Sequence, residues 1–173
     1  MPGKFLITGY PGTGKSSVAR ALQHRGHTAY DTEAMPGYMH AESHGGQRIH
    51  LPSPVPAGWF DRVGAYNWNV SRIERLLQQP GEAYFCALAD NQPLFYDRFD
   101  KIFLLLLDET VMLQRLHSRT ERAYGHDRQE LSDIMLMHRH FEQSLVARGA
   151  VGITTQKALP EVVADILAHS YTD

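Results

Sequence analysis

Cysteine is almost absent. Cys86 is the only one in 173 residues, so no internal disulfide and no thiolate metal cluster can form within one chain, and a reducing compartment, the cytoplasm, is expected. Long apolar runs are missing too: no window approaches ~18 uninterrupted apolar residues, the length of a membrane span. The run Phe5-Leu6-Ile7 near the amino end is too short for the apolar core of a secretory signal. Charge of one sign is not in excess, because 17 Lys+Arg stand against 19 Asp+Glu for a formal charge of -2. The chain therefore lacks the positive field that nucleic-acid and anionic-membrane binders spread over their surfaces, and neither partner is expected. No G-x-S-x-G element occurs, so a serine nucleophile has no support. His138 and His140 are two apart on a helix and point in different directions, which does not make a metal site.

What remains is an ordinary globular composition, 43% hydrophobic and 21% charged with 14 Gly and 9 Pro, at a length that suits a single domain. Lys4–Thr8, Thr28–Tyr30, Ala83–Ala89, Lys101–Leu107 and Val151–Thr154 read as short strands, two of them near-continuous apolar runs of the kind buried on both faces of a parallel sheet. Helical spacing recurs between them, from Lys15, from Trp68 to Gln79, from Glu109 to Ser118, from Arg128 to Arg148 and after Pro160. Five strands alternating with helices predict a doubly wound α/β fold. From Ala34 to Trp68 the periodicity fades, and Pro36, Gly37, Gly45, Gly46, Pro52, Pro54, Pro56 and Gly58 predict a long loop-rich insertion in which only Gln47–Leu51 resembles a strand.

Between the first strand and the first helix lies Gly9-Tyr10-Pro11-Gly12-Thr13-Gly14-Lys15-Ser16, which fits G-x-x-x-x-G-K-[ST] at every defined position. Glycines in such a loop let successive backbone N–H groups turn inward around phosphate oxygens, and the following helix adds its positive dipole end. Lys15 is expected to reach the β- and γ-phosphates of a nucleotide such as ATP, and Ser16 to offer its hydroxyl to Mg²⁺; Ser17 completes the binding segment.

Three acids compete for the remaining metal and acceptor roles. Asp90 follows the apolar run Tyr84–Ala89 and matches a loose Walker B pattern, in which a carboxylate holds Mg²⁺ through its waters. Asp108-Glu109 matches as well, with the plainer alternative that Asp108 caps the next helix. Asp31 ends the strand after the phosphate-loop helix, where it could accept a proton from, or orient, a hydroxyl acceptor. Arg115, Arg119 and Arg122, followed by Arg128 and Arg139, form a basic group; Arg115 and Arg119 are four apart and share a helix face. Guanidinium groups on a mobile segment can stabilise the charge that phosphoryl transfer spreads over equatorial oxygens.

With the phosphate loop, the strand-end Asp31-Thr32-Glu33 and the Arg115–Thr120 segment before a long helix, the chain resembles the small P-loop kinases of the nucleoside monophosphate kinase and shikimate kinase group over nearly its whole length. The resemblance implies a three-layer P-loop fold, one kinase domain over 1–173, with a five-stranded parallel sheet in the order 2-3-1-4-5. It also implies an acceptor-covering insertion at 34–68 and a lid at 119–127. ATP with Mg²⁺ would be the donor and a small molecule the phosphate acceptor. By position, Asp31 and Glu33 resemble the acid pair that touches magnesium waters and acceptor, Asp90 resembles the strand-three aspartate of adenylate kinases, Arg119 and Arg139 resemble lid and post-lid arginines, and Arg115 occupies the place of an adenine-stacking arginine. Neither acceptor signature of the group is present, since Asn91-Gln92-Pro93 stands where they would be. A nucleoside or nucleotide acceptor is the first expectation and a hydroxylated acid or sugar the second. An accessory ATPase in which Asp108-Glu109 activates water is the rival from another class. Tyr38, Trp59, Phe60, Tyr66 and Trp68 in the insertion are available for stacking, and Arg48, Arg62 and Arg72 for an acidic group, or each simply packs.

Overall fold

The apolar runs of the sequence become the strands of one parallel sheet. The computed structural model describes residues 3–52, 55–56, 58–117 and 128–172, with the side chains at 113, 115–117 and 128–137 outside the description. The sheet contains β1 (Lys4–Thr8), β2 (Ala29–Asp31), β6 (Ala83–Cys86), β7 (Lys101–Leu106) and β8 (Val151–Thr154), ordered β2-β6-β1-β7-β8. Every pairing is parallel, with Leu6 opposite Phe85 on one side and Ile102 on the other. Counting only these strands, the order is the expected 2-3-1-4-5.

Alternation along the strands sends side chains into two separate apolar layers. On one face Phe5, Ile7, Tyr84, Cys86, Phe103 and Leu105 pack with Val18 and Leu22 of α1 (Lys15–His24) and Val163 and Ile166 of α6 (Leu159–Ser170). On the other, Leu6, Phe85 and Ala87 meet Ile73 and Leu77 of α3 (Val70–Leu77), together with Phe95 and Phe99 at the 3-10 helix Gln92–Arg98. Burial on both faces is why the strands read as continuous apolar runs rather than alternating ones. Between β7 and β8 run α4 (Glu109–His117) and α5 (Arg128–Ala147).

The insertion departs from its loop-rich expectation. It folds into β3 (Met39–Ser43), β4 (Arg48–Ile49) and β5 (Gly64–Trp68), an antiparallel sheet of order β4-β3-β5, with α2 (Trp59–Arg62) before the last strand. β4 lies within the Gln47–Leu51 segment that resembled a strand, whereas β3 and β5 are short and polar on one side, with proline and glycine in the turns between the elements, so their pattern was too brief to register. Trp68 ends β5 rather than opening a helix; α3 starts at Val70 behind Asn69, whose side chain accepts the Arg72 amide as an N-cap. Likewise β6 stops at Cys86, so Asp90 lies beyond the strand, just before the 3-10 helix, and not at its end.

Candidate functional site

The loop between β1 and α1 has the geometry that its sequence demands. A Cβ on Gly9 would lie 2.7 Å from Thr13 Oγ1 and 3.0 Å from the Leu105 carbonyl, so only glycine fits there. The Thr13 amide and hydroxyl both donate to the Tyr10 carbonyl, at 3.2 and 2.8 Å, and close the loop on itself. Gly14, the residue before α1, sits at φ 101°, a left-handed conformation natural to glycine. No side chain caps α1 and no acid stands in its first turn, leaving the positive end of the helix to an anion. A phosphate group fits this cradle. Ser16 is exposed at its rim, and Lys15, only 8% exposed, donates from Nζ to the Gly9 carbonyl at 2.7 Å.

The second acid of the strand-end pair joins this lysine. Glu33 Oε1 lies 3.4 Å from Lys15 Nζ and accepts the Leu88 amide at 2.7 Å, which fastens the carboxylate to the segment after β6. Asp31 and Glu33 flank Thr32, whose amide donates to the Cys86 carbonyl at 3.2 Å. Burial pushes the fully buried Cys86 thiol up, with Asp31 and Glu33 adding to the shift and Lys15 opposing it. That thiol is an apolar filler beneath the site and not a nucleophile.

Asp90 is engaged with the insertion. Its Oδ2 accepts the Tyr66 amide at 2.6 Å while its own amide donates to the Tyr66 carbonyl at 3.0 Å. Desolvation raises its carboxyl above the usual range, and the Tyr66 bond partly offsets this. Asp108 does what the plainer alternative said: its Oδ1 accepts the Thr110 amide at 2.9 Å and caps α4. Arg139 grips Glu109 through two bonds of 2.6 and 2.8 Å on the exposed surface, each group strengthening the charge of the other. The side chains of Arg115, Arg119, Arg122 and Arg128, and the whole of the 119–127 segment, lie outside the described residues.

Several residues of the expected set pack rather than present themselves. Tyr10 is 8% exposed and meets His138 edge-on at 5.3 Å, with Phe141 at 6.0 Å, so its side chain anchors α5 to the loop while its carbonyl serves the loop itself. Trp59 and Trp68 are buried, and the Arg72 guanidinium lies over the Tyr38 ring at 5.5 Å while donating to the Pro36 carbonyl. Among the described residues no group of three or more His, Cys, Asp or Glu could hold a metal. No described helix is long and apolar enough to cross a membrane.

A network that the sequence did not disclose ties these parts together. Gln92, fully buried, donates to Thr8 Oγ1 at 3.1 Å and accepts the Ala89 amide at 3.2 Å. Asn91 grips the backbone of Trp68 at both groups, accepting from its amide at 2.8 Å and donating to its carbonyl at 3.0 Å. The only available signal was two amide side chains directly after an apolar strand, which a turn explains equally well.

A parallel sheet of this order with a phosphate loop after its central strand is the fold of the small P-loop kinases. Solved structures share it along almost the entire chain. A gluconokinase from Sinorhizobium meliloti 1021 matches with 20% identity and a TM-score of 0.54, over 96% of this chain and 90% of its own. A deoxyadenosine kinase from M. mycoides with bound dATP matches at 12% and 0.56, over 98% and 100%. A shikimate kinase from Bacteroides thetaiotaomicron matches at 12% and 0.58, over 99% and 100%. No protein-family model matches the sequence, and no curated protein matches it by sequence.

Proposed function

We propose that the protein is an ATP-dependent small-molecule kinase. The observation that carries this reading is the buried Lys15 ammonium, set at the mouth of an uncapped helix and held by Glu33 beside Asp31. A buried lysine amine beside a carboxylate at that place is suited to phosphate, and an acid at the end of β2, one strand removed from β1 across β6, is suited to a hydroxyl.

ATP, when bound, supplies the γ-phosphoryl group. The backbone from Gly9 to Ser17 would hold its phosphates, and Lys15 would shift from the Gly9 carbonyl to balance their charge. Ser16 would hold Mg²⁺ with Asp31 and Asp90 acting through water, and the metal would neutralise charge shared by the phosphates. Asp31 would take the acceptor's hydroxyl proton as its oxygen bonds to phosphorus, the bond to the ADP oxygen breaking. Glu33 keeps Lys15 aligned. Arg119 and Arg122 are proposed to stabilise the transferring group and Arg115 to stack on the base.

For the acceptor we favour a nucleoside. Asp31, the last residue of β2, and Glu33, two residues on, are suited to hydroxyl donors, and of the described arginines Arg72 is engaged by Pro36 and Tyr38 and Arg139 by Glu109, which supports an acceptor recognised through its hydroxyl groups. A sugar or hydroxy acid rests on the same acids and is the second reading. ADP release from MgATP, measured without acceptor and with pooled nucleosides, nucleoside monophosphates, sugars and hydroxy acids, tests both. Stimulation by one pool, lost in Lys15→Ala and reduced ~100-fold or more in Asp31→Asn, is expected. Steady release that no pool stimulates would overturn the kinase reading.

A further inference from the structure

We propose that Trp68 is a positioning residue for the Asp31-Thr32-Glu33 turn, linking the insertion's antiparallel sheet to the phosphate-loop lysine. The inference rests on the kinase reading for its catalytic consequence, but the link itself is geometric. Trp68 is the last residue of β5 and is fully buried, its ring edge-on to Phe95 at 5.5 Å and tilted to Phe99 at 6.4 Å. An indole carries a single N–H donor, and burial obliges that donor to find an acceptor. It finds Thr32 Oγ1 at 2.8 Å, and Thr32 is itself fully buried.

Both ends of this bond are braced. Asn91 holds the Trp68 backbone at its amide and its carbonyl, so the indole cannot drift with the insertion. On the other side the Thr32 amide is bonded to Cys86 of the central sheet. Thr32 lies between the two acids, and Glu33 continues the chain of contacts to the Leu88 amide and to Lys15 Nζ. A sideways shift of Thr32 therefore moves Asp31 relative to the acceptor and Glu33 relative to Lys15 together. Groups that must meet within a few tenths of an ångström lose much of their rate when misplaced, up to ~100-fold for about 1 Å.

Four variants separate positioning from mere stability. Trp68→Phe keeps an aromatic ring and removes the donor; Thr32→Val keeps the shape and removes the acceptor; Thr32→Ser keeps the hydroxyl. The double variant Trp68→Phe/Thr32→Val leaves neither partner buried and unpaired, so its melting temperature should recover towards that of the wild type even if Thr32→Val alone folds poorly. Expected are a ~10-fold or greater fall in kcat in Trp68→Phe and in the double variant, no larger in the double than in the single. KM for MgATP should stay within ~3-fold, and Thr32→Ser should behave as wild type. A double variant with wild-type kcat, losses that multiply, or a kcat that merely follows thermal stability would overturn the proposal.

A second readout is independent of catalysis. Trp68 is one of two tryptophans, so Trp59→Phe makes it the sole reporter. Titration with the magnesium complex of a non-hydrolysable ATP analogue should change its emission, and Thr32→Val should abolish that change while leaving affinity within ~3-fold. An equal change in both proteins, or none in either, would overturn the link. Absence of acceptor-stimulated transfer by the wild type would instead defeat the kinase reading, with the emission titration still deciding the link.

Discussion

Replacing Gln92 by leucine should destabilise the protein by about 3 kcal/mol, although the two side chains are similar in size. Gln92 and Thr8 are fully buried, and Ala89 is 5% exposed. In Gln92→Leu the Ala89 amide loses its acceptor, and the Thr8 hydroxyl loses the Nε2 donor at 3.1 Å. Each buried group left unpaired costs ~1–3 kcal/mol, and two of them, less the desolvation that leucine avoids, give the figure above. For a chain of this length that corresponds to a melting temperature lower by roughly 6–12 °C. Thr8→Val made alongside removes one of the two stranded groups, so the double variant Thr8→Val/Gln92→Leu should cost less than the sum of the singles by ~1 kcal/mol. Urea unfolding of the four proteins at one pH measures both numbers. A Gln92→Leu protein within ~0.5 kcal/mol of wild type, or strictly additive singles, would refute the assignment of Gln92 as the link between β1 and the segment after β6.

Two predictions concern charge. Because the folded state raises the Asp90 carboxyl, the native protein holds this proton more tightly than the unfolded chain, and the associated stability is present below about pH 4 and lost as pH rises through the folded value. Asp90→Asn, which still offers an oxygen to the Tyr66 amide, should flatten that part of the curve in urea unfolding followed from pH 4 to pH 7; an unchanged slope would contradict it. Arg139 lowers the Glu109 carboxyl, so that contribution has the opposite sign, present above the unfolded value and lost as pH falls through the folded one. Glu109→Gln should remove this acid-side loss and leave acceptor-stimulated ADP release within ~2-fold. Loss of acceptor-independent ATP hydrolysis in Glu109→Gln would favour the water-activating ATPase instead.

Much of the architecture was legible because its signals are local. A strand buried on both faces must be apolar at every position, and Lys101–Leu107 could hardly be anything else. The phosphate loop is legible for a stricter reason: Gly9 is confined by Thr13 and Leu105, and Gly14 by its own left-handed backbone. Of the insertion only β4 was legible, inside the strand-like Gln47–Leu51, since β3 and β5 mix polar and apolar residues among prolines and glycines and show no clear period. Asp90 was misplaced by the same weakness, because the apolar run Tyr84–Ala89 outlasts the hydrogen-bonded strand.

The chain's own letters determined the parallel sheet, the helices that flank it and the phosphate loop, through apolar runs, helical spacing and glycines whose positions a fixed motif demands. Tertiary structure decided the partners. That Glu33 meets Lys15, that Asn91 grips Trp68, that the indole of Trp68 ends on Thr32 and that Arg139 closes on Glu109 all join residues 18 to 36 positions apart. Such pairings leave no periodic trace, because a buried donor requires some acceptor but its sequence neighbourhood does not say which one the fold will bring within reach.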